Sequence, residues 1–134
     1  MITYYFYMLI NKYYHNSSFD LYITISNIHN GGLGIFTRSF IPKDSLIDEY
    51  CGELKIGIYG GEYYFSITNL IGINALNYPR CYMAMINDSK GSVFYNNTYF
   101  KINSTDLVIE VWSIKDINKN EELFIDYGSE YWIK

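Results

Sequence analysis

Cysteine is scarce in this sequence: Cys51 and Cys81 are the only two in 134 residues. No CxxC or HxxxH pair stands beside them, which excludes a zinc site and leaves no metal to expect. One disulfide between them is one reading; a reduced, intracellular chain is the expected one. Charge is sparse too, at 18% of residues with a net charge of −4, and Lys and Arg never run together. A nucleic-acid interface is therefore not expected. The weak acidic bias favours basic partners such as Lys/Arg-rich peptides. The opening MITYYFYMLI is apolar for only about ten residues, where a membrane span needs about twenty. It has neither a basic flank nor a small-residue cleavage signal. An extra strand or an aromatic packing segment is expected there, with no membrane partner. Proline is limited to Pro42 and Pro79, so glycine and asparagine punctuate the chain. No repeat, no linker and no helical period sustained over four turns can be found.

What remains is rich in aromatic and β-branched residues, with sixteen tyrosines, and favours strands. With 49% hydrophobic residues the chain can build a real core as one domain. LYITIS (21–26) alternates as a strand does, and GIFTRSF (34–40) reads as a second. SLIDEYCGEL (45–54) reads as a third, after a Pro42 turn. Residues 81–86 suit a short helix. VFYNNTYFKI (93–102) and LVIEVWSI (107–114) read as a hairpin across NSTD, with the Glu110 face the wetter one. The expectation is a β-rich domain of many short strands with at most one or two short helices.

Between the first two strands lies IHNGGLGIF (28–36), with three glycines in four positions. A phosphate loop would need Lys-Ser/Thr and a following helix, and neither is present. A dinucleotide fingerprint needs a third spaced glycine at a helix start, which is also missing. A glycine-rich hairpin turn remains from the loop alone.

Three further stretches change its meaning when taken in order: EYCGEL (49–54), MINDS (85–89) and EELFIDYG (121–128). Together with SNIHNGGLGIF (26–36), their order and spacing resemble the SET domain, a family of S-adenosylmethionine-dependent protein lysine methyltransferases. The resemblance runs over roughly residues 21 to 132, leaving 1–20 as an N-terminal extension and 21–134 as the domain. The ending YGSEYW is most similar to that of the small viral SET proteins. The resemblance implies a mainly β fold, a β-clip of several short sheets. It also implies a C-terminal pseudoknot, which brings residues 85–89 against 124–128.

The resemblance also implies roles. The backbone of Gly32, Leu33 and Gly34 would cradle S-adenosylmethionine, glycine being needed where main-chain groups approach a ligand. Asn87 offers an amide donor and a carbonyl acceptor to an amino-acid moiety. Asp88 would stand beside the adenine, with Trp132 and Tyr131 stacking on it. Tyr50 and Tyr127 would form the lysine channel and act in catalysis, Tyr127 orienting the amine for in-line attack. Ile125 would stand in that channel where some relatives hold a Tyr or Phe that limits methylation, so a product beyond monomethyl-lysine is expected. His29 would be structural. Asp48, Glu49 and Glu53 would either line an acidic mouth or be solvated strand residues. The substrate implied is a basic protein or histone tail, which places the protein in the nucleus. The aromatic load is compatible with a homodimer.

The pattern is broken at Asp88, which replaces the family's usual His, and at Asn74, Ala84 and Val93. These departures gather near the cofactor positions. The alternative they raise is a catalytically decayed SET-like module that binds a peptide or a partner protein.

Overall fold

Ten short strands and one turn of 3-10 helix make up the computed structural model, which describes residues 12–57 and 59–128. In chain order the strands are β1 Tyr13–Tyr14, β2 Leu21–Ile25, β3 Leu33–Thr37, β4 Leu46–Glu49 and β5 Glu53–Ile56. There follow β6 Tyr64–Ser66, β7 Ile71–Asn74, β8 Arg80–Cys81, β9 Thr98–Asn103 and β10 Val108–Ser113. The helical turn is Tyr82–Met85, directly after β8. The strands form four small sheets, ordered β1-β8, β2-β3, β4-β10-β9 and β5-β7-β6. The mainly β expectation, several short sheets with almost no helix, is what the chain adopts.

Local sequence explains most of this. In β10 the even-spaced residues Ile109, Val111 and Ser113 are buried, while Val108, Glu110 and Trp112 are half-buried, as a period of two requires. The turn before it is closed by Asn103 and Asp106. The Asp106 N–H donates to Asn103 Oδ1 and Asn103 Nδ2 to Asp106 Oδ2, both at 3.0 Å. The β2-β3 hairpin turns through the glycine loop, where Asn30 and Gly32 take φ of 61° and 64° and the Ser26 N–H donates to the Gly32 carbonyl.

Two expected strands are shorter than their apolar pattern. The stretch 45–54 divides into β4 and β5, which belong to different sheets. Gly52 sits in the break, so close to the Asn74 carbonyl that a Cβ there would lie 2.3 Å from its oxygen. The hairpin strand expected from residue 93 begins only at Thr98. Asn97 is occupied in a different way, its side chain bridging the Glu122 carbonyl and the Phe124 N–H.

The segment after β10 ties the sheets together. Glu122 bridges to Phe36, Phe124 runs parallel to Asn87, and Ile125 runs parallel to Thr98. Leu123 N–H donates to the Ile35 carbonyl at 2.8 Å and Ile125 N–H to the Asn87 carbonyl at 2.9 Å. Ile35, Ile47, Ile109, Val111, Leu123 and Ile125 are buried around this crossing and make the centre of the core. Residues 85–89 and 124–128 are thus neighbours, as the motif order implied. Of the N-terminal extension, Tyr13 and Tyr14 pair in parallel with Arg80 and Cys81, and residues 1–11 lie outside the described residues.

Candidate active site

A cavity of about 650 Å³ opens where these segments meet. The glycine loop supplies residues 28–33 and the helical turn with its exit supplies residues 83–88. Tyr50, Phe100 and Tyr127 come from three other parts of the chain. That volume falls within the usual span for small-molecule sites.

The glycine loop is held from both ends. On one side Asn87 Nδ2 donates to the Leu33 carbonyl at 3.0 Å. On the other, the buried Glu122 carboxylate accepts the Ser26 hydroxyl at 2.6 Å and the Asn27 N–H at 2.8 Å. Ser26 Oγ in turn accepts the Ile28 N–H at 3.0 Å. Such charge-assisted bonds are the stronger kind, and they fix the loop's approach to the cavity. Gly32 has open space where a side chain would be, together with its left-handed φ, so its main chain is bare on that side.

Asp88 is buried, and its carboxylate is an acceptor for several N–H groups. Oδ2 accepts the Tyr127 N–H at 2.9 Å, and Oδ1 accepts the Lys90 N–H at 2.9 Å and Asn96 Nδ2 at 3.4 Å. The Asp88 charge is therefore well solvated by protein dipoles. Tyr127 is fixed again at its other end, where its hydroxyl donates to the Ile86 carbonyl at 2.7 Å. The Tyr50 hydroxyl donates to the Tyr63 carbonyl, and burial pushes its pKa above the ordinary 10. The Tyr50 phenol is therefore neutral around pH 7.

Several expected site residues meet at this cavity: Gly32, Leu33, Asn87, Asp88, Tyr50 and Tyr127 all line it. Two others are placed elsewhere. Gly34 is buried and does not line the cavity; a Cβ on it would lie 2.3 Å from Glu122 Oε2, so its lack of a side chain makes room for that carboxylate. Ile125 has no exposed surface, packs in the core and is not among the residues lining the cavity. Trp132 and Tyr131 lie outside the described residues. Asp48, Glu49 and Glu53 do not line the cavity. Asp48 caps the Asn16 N–H and Glu53 pairs with Lys55, while Glu62 lines the cavity in their stead.

The sequence reading passed over Arg80, Tyr63 and Phe100, which also line the cavity. No motif marks them, although a lone arginine in the uncharged run INALNYPRCYMAMIN was a signal in itself. The two thiols remain free and are in contact across the β4 exit and β8. Cys81 Sγ lies 3.1 Å from both the backbone nitrogen and the carbonyl oxygen of Cys51. The shared hydrogen bond raises the Cys51 pKa and lowers that of Cys81. Among the described residues no three His, Cys, Asp or Glu side chains gather closely enough to hold a metal ion.

Comparison with known proteins bears on the family and the fold. The family model described as "SET domain" matches residues 32–128. No curated protein sequence matches the chain. Among solved structures, the chain is similar to a humanized mutant of the Chaetomium thermophilum Polycomb Repressive Complex 2 bound to an inhibitor. The identity is 21% and the TM-score 0.65, covering 84% of this chain and 15% of that one. It is likewise similar to ctPRC2 in an autoinhibited conformation bound to S-adenosylmethionine, at 22% identity and TM-score 0.66 with the same coverage. The chain thus spans about 15% of the length of those chains, and the likeness is one of fold.

Proposed function

The chain belongs to the SET domain family, and from that premise we propose that it methylates a lysine side chain on a basic protein, a histone tail foremost. The observation that carries this reading is the convergence of the Gly32–Leu33 backbone, Asn87 and two tyrosines, Tyr50 and Tyr127, on one cavity. These groups come from sequence positions far apart and are brought together where the segment after β10 crosses the glycine loop and residues 85–89.

The family's cofactor is S-adenosylmethionine, and the residues present fit it. A bare main chain at Gly32, an amide at Asn87 and a cavity of adequate size suit a zwitterionic amino-acid moiety beside an aromatic base. When bound, S-adenosylmethionine supplies an electrophilic methyl group on a sulfonium. The chain's own part is binding and alignment. Asn87 and the residue 32–33 backbone would hold the amino-acid end. Phe100 and the two tyrosines would give the lysine stem an apolar sleeve, and desolvation there disfavours the ammonium whose ordinary pKa is about 10.4. Tyr127, fixed at N–H and hydroxyl, would accept an amine N–H and aim the lone pair, so that most of the rate gain comes from positioning. Carbonyls such as that of Ile86 would add weak C–H···O contacts. The finer likeness to the small viral members, a histone target and a nuclear location belong to this same proposal.

Calorimetric titration with S-adenosylmethionine, together with methyl transfer from labelled cofactor to mixed core histones, tests the reading. Binding with transfer that Tyr127→Phe lowers by at least about tenfold, cofactor affinity being kept, is the expected result. Absence of binding in the wild type with recovery in Asp88→His would replace the enzyme by a decayed module.

A further inference from the structure

Arg80 lies in the wall of the same cavity and is 6% exposed. Its Nε donates to the Ala75 carbonyl at 3.0 Å and Nη2 to the Leu76 carbonyl, while Nη1 rests 3.7 Å from Met85 Sδ. The rings of Tyr63 and Tyr78 face the guanidinium, their centroids 3.8 and 4.5 Å from Cζ. Among the described residues no carboxylate pairs with it; the ion pairs there are Arg38–Asp20 and Lys55–Glu53. A guanidinium stays protonated in any such setting. Carbonyl dipoles and ring faces make its burial tolerable, but they do not cancel its charge.

The other ionisable groups nearby do not cancel it either. Glu62 is exposed, so water screens it, and exposed Lys90 has the same sign as Arg80. The Asp88 oxygens are turned to the N–H groups of Tyr127 and Lys90. Tyr13, Tyr50 and Tyr63 face Arg80 from three other segments and are held neutral by burial, Tyr13 being pushed up to about 12. Cys81, beside Arg80 on β8, is drawn below its ordinary value by the Cys51 thiol.

We propose that Arg80 sets the charge state in which this cavity accepts its substrate. It repels an ammonium and so admits the target lysine as the neutral amine, the form whose lone pair can take a methyl group. The proton goes to bulk water before transfer. This rests on the methyltransferase reading above and adds to it a residue outside the family's motifs.

The test is the pH dependence of kcat and KM for the full chain, Arg80→Met and Arg80→Lys, with S-adenosylmethionine and mixed core histones. Thermal melting and a parallel Cys81→Ser series control for folding and for the thiol's own titration. The kcat profile reports the complex, and a one-unit rise in the bound lysine's pKa gives a tenfold loss on the acid limb. Arg80→Met is therefore expected to lose about tenfold in kcat at pH 7.5 without a rise in KM, and to converge on wild type by about pH 10. Arg80→Lys keeps most of the wild-type profile. A deficit of the same size at every pH is what a structural role would give, and it overturns this inference alone. Wild-type protein that transfers no methyl group at any pH overturns the methyltransferase reading and this inference with it.

Discussion

Gly32 and Gly34, two positions apart, answer different demands, and substitution separates them. At Gly34 an added methyl group meets the Glu122 carboxylate at 2.3 Å, which can give way only by shifting its bonds to Ser26 and Asn27. Gly34→Ala is expected to lower stability by about 1–3 kcal/mol, read as a shift in the thermal midpoint. At Gly32 the space is open but φ is 64°, so Gly32→Ala costs only about 1 kcal/mol of backbone strain and acts mainly on cofactor affinity. Asp88 allows a third prediction. In Asp88→Asn one oxygen becomes a donor facing an N–H group of Tyr127 or Lys90, a loss of about 1–3 kcal/mol. Because Asp88 seats Tyr127, turnover in that variant should fall further than S-adenosylmethionine affinity measured by calorimetry. The sequence marked Gly32, Asn87 and Tyr127 through their motifs. It could not separate Gly34 from Gly32, since the distinction lies in Glu122, which arrives from the far end of the chain.

At the level of elements, the glycine loop depends on one buried carboxylate. Glu122→Gln would turn one of its two acceptor contacts, to Ser26 or to the Asn27 N–H, into a donor facing a donor. Amide hydrogen exchange is the sensitive measurement. Residues 27–33 should exchange faster in the variant while β9 and β10 keep their protection, and equal acceleration in both would count against a local latch. Strands and hairpins were legible in the sequence because period-two burial and turn residues are local signals, as in β10 and the Asn103–Asp106 turn. Their limits were not. The break at residues 50–52 follows from Gly52 lying against Asn74, and the late start of β9 follows from Asn97 serving Glu122 and Phe124. Both causes are partners distant in the chain, which apolar spacing does not encode. The burial of Ile125 was not legible for the same reason, since its backbone partners are Asn87 and Thr98.

Over the whole molecule, tyrosine dominates the response to alkali. Tyr50, Tyr63 and Tyr82 have their pKa values raised first by burial, so all three stay neutral in the folded chain at pH values where the unfolded chain ionises. Their contribution is complete below about pH 10 and is lost as pH climbs from there toward the folded values. Denaturant melts should therefore show level stability up to about pH 9 and a decline above pH 10. Tyr50→Phe should soften that decline, since phenylalanine has no proton to lose. The same long-range wiring governs how the molecule comes into being. Ser26 needs Glu122, 96 residues later, and Asp88 needs Tyr127, 39 residues later. A growing polypeptide presents its glycine loop to the cell well before the carboxylate that fixes it has been synthesised. The cavity is thus completed only once residues 122–127 have been synthesised, and a chain stalled short of residue 122 would carry the whole glycine loop without the carboxylate that fixes it.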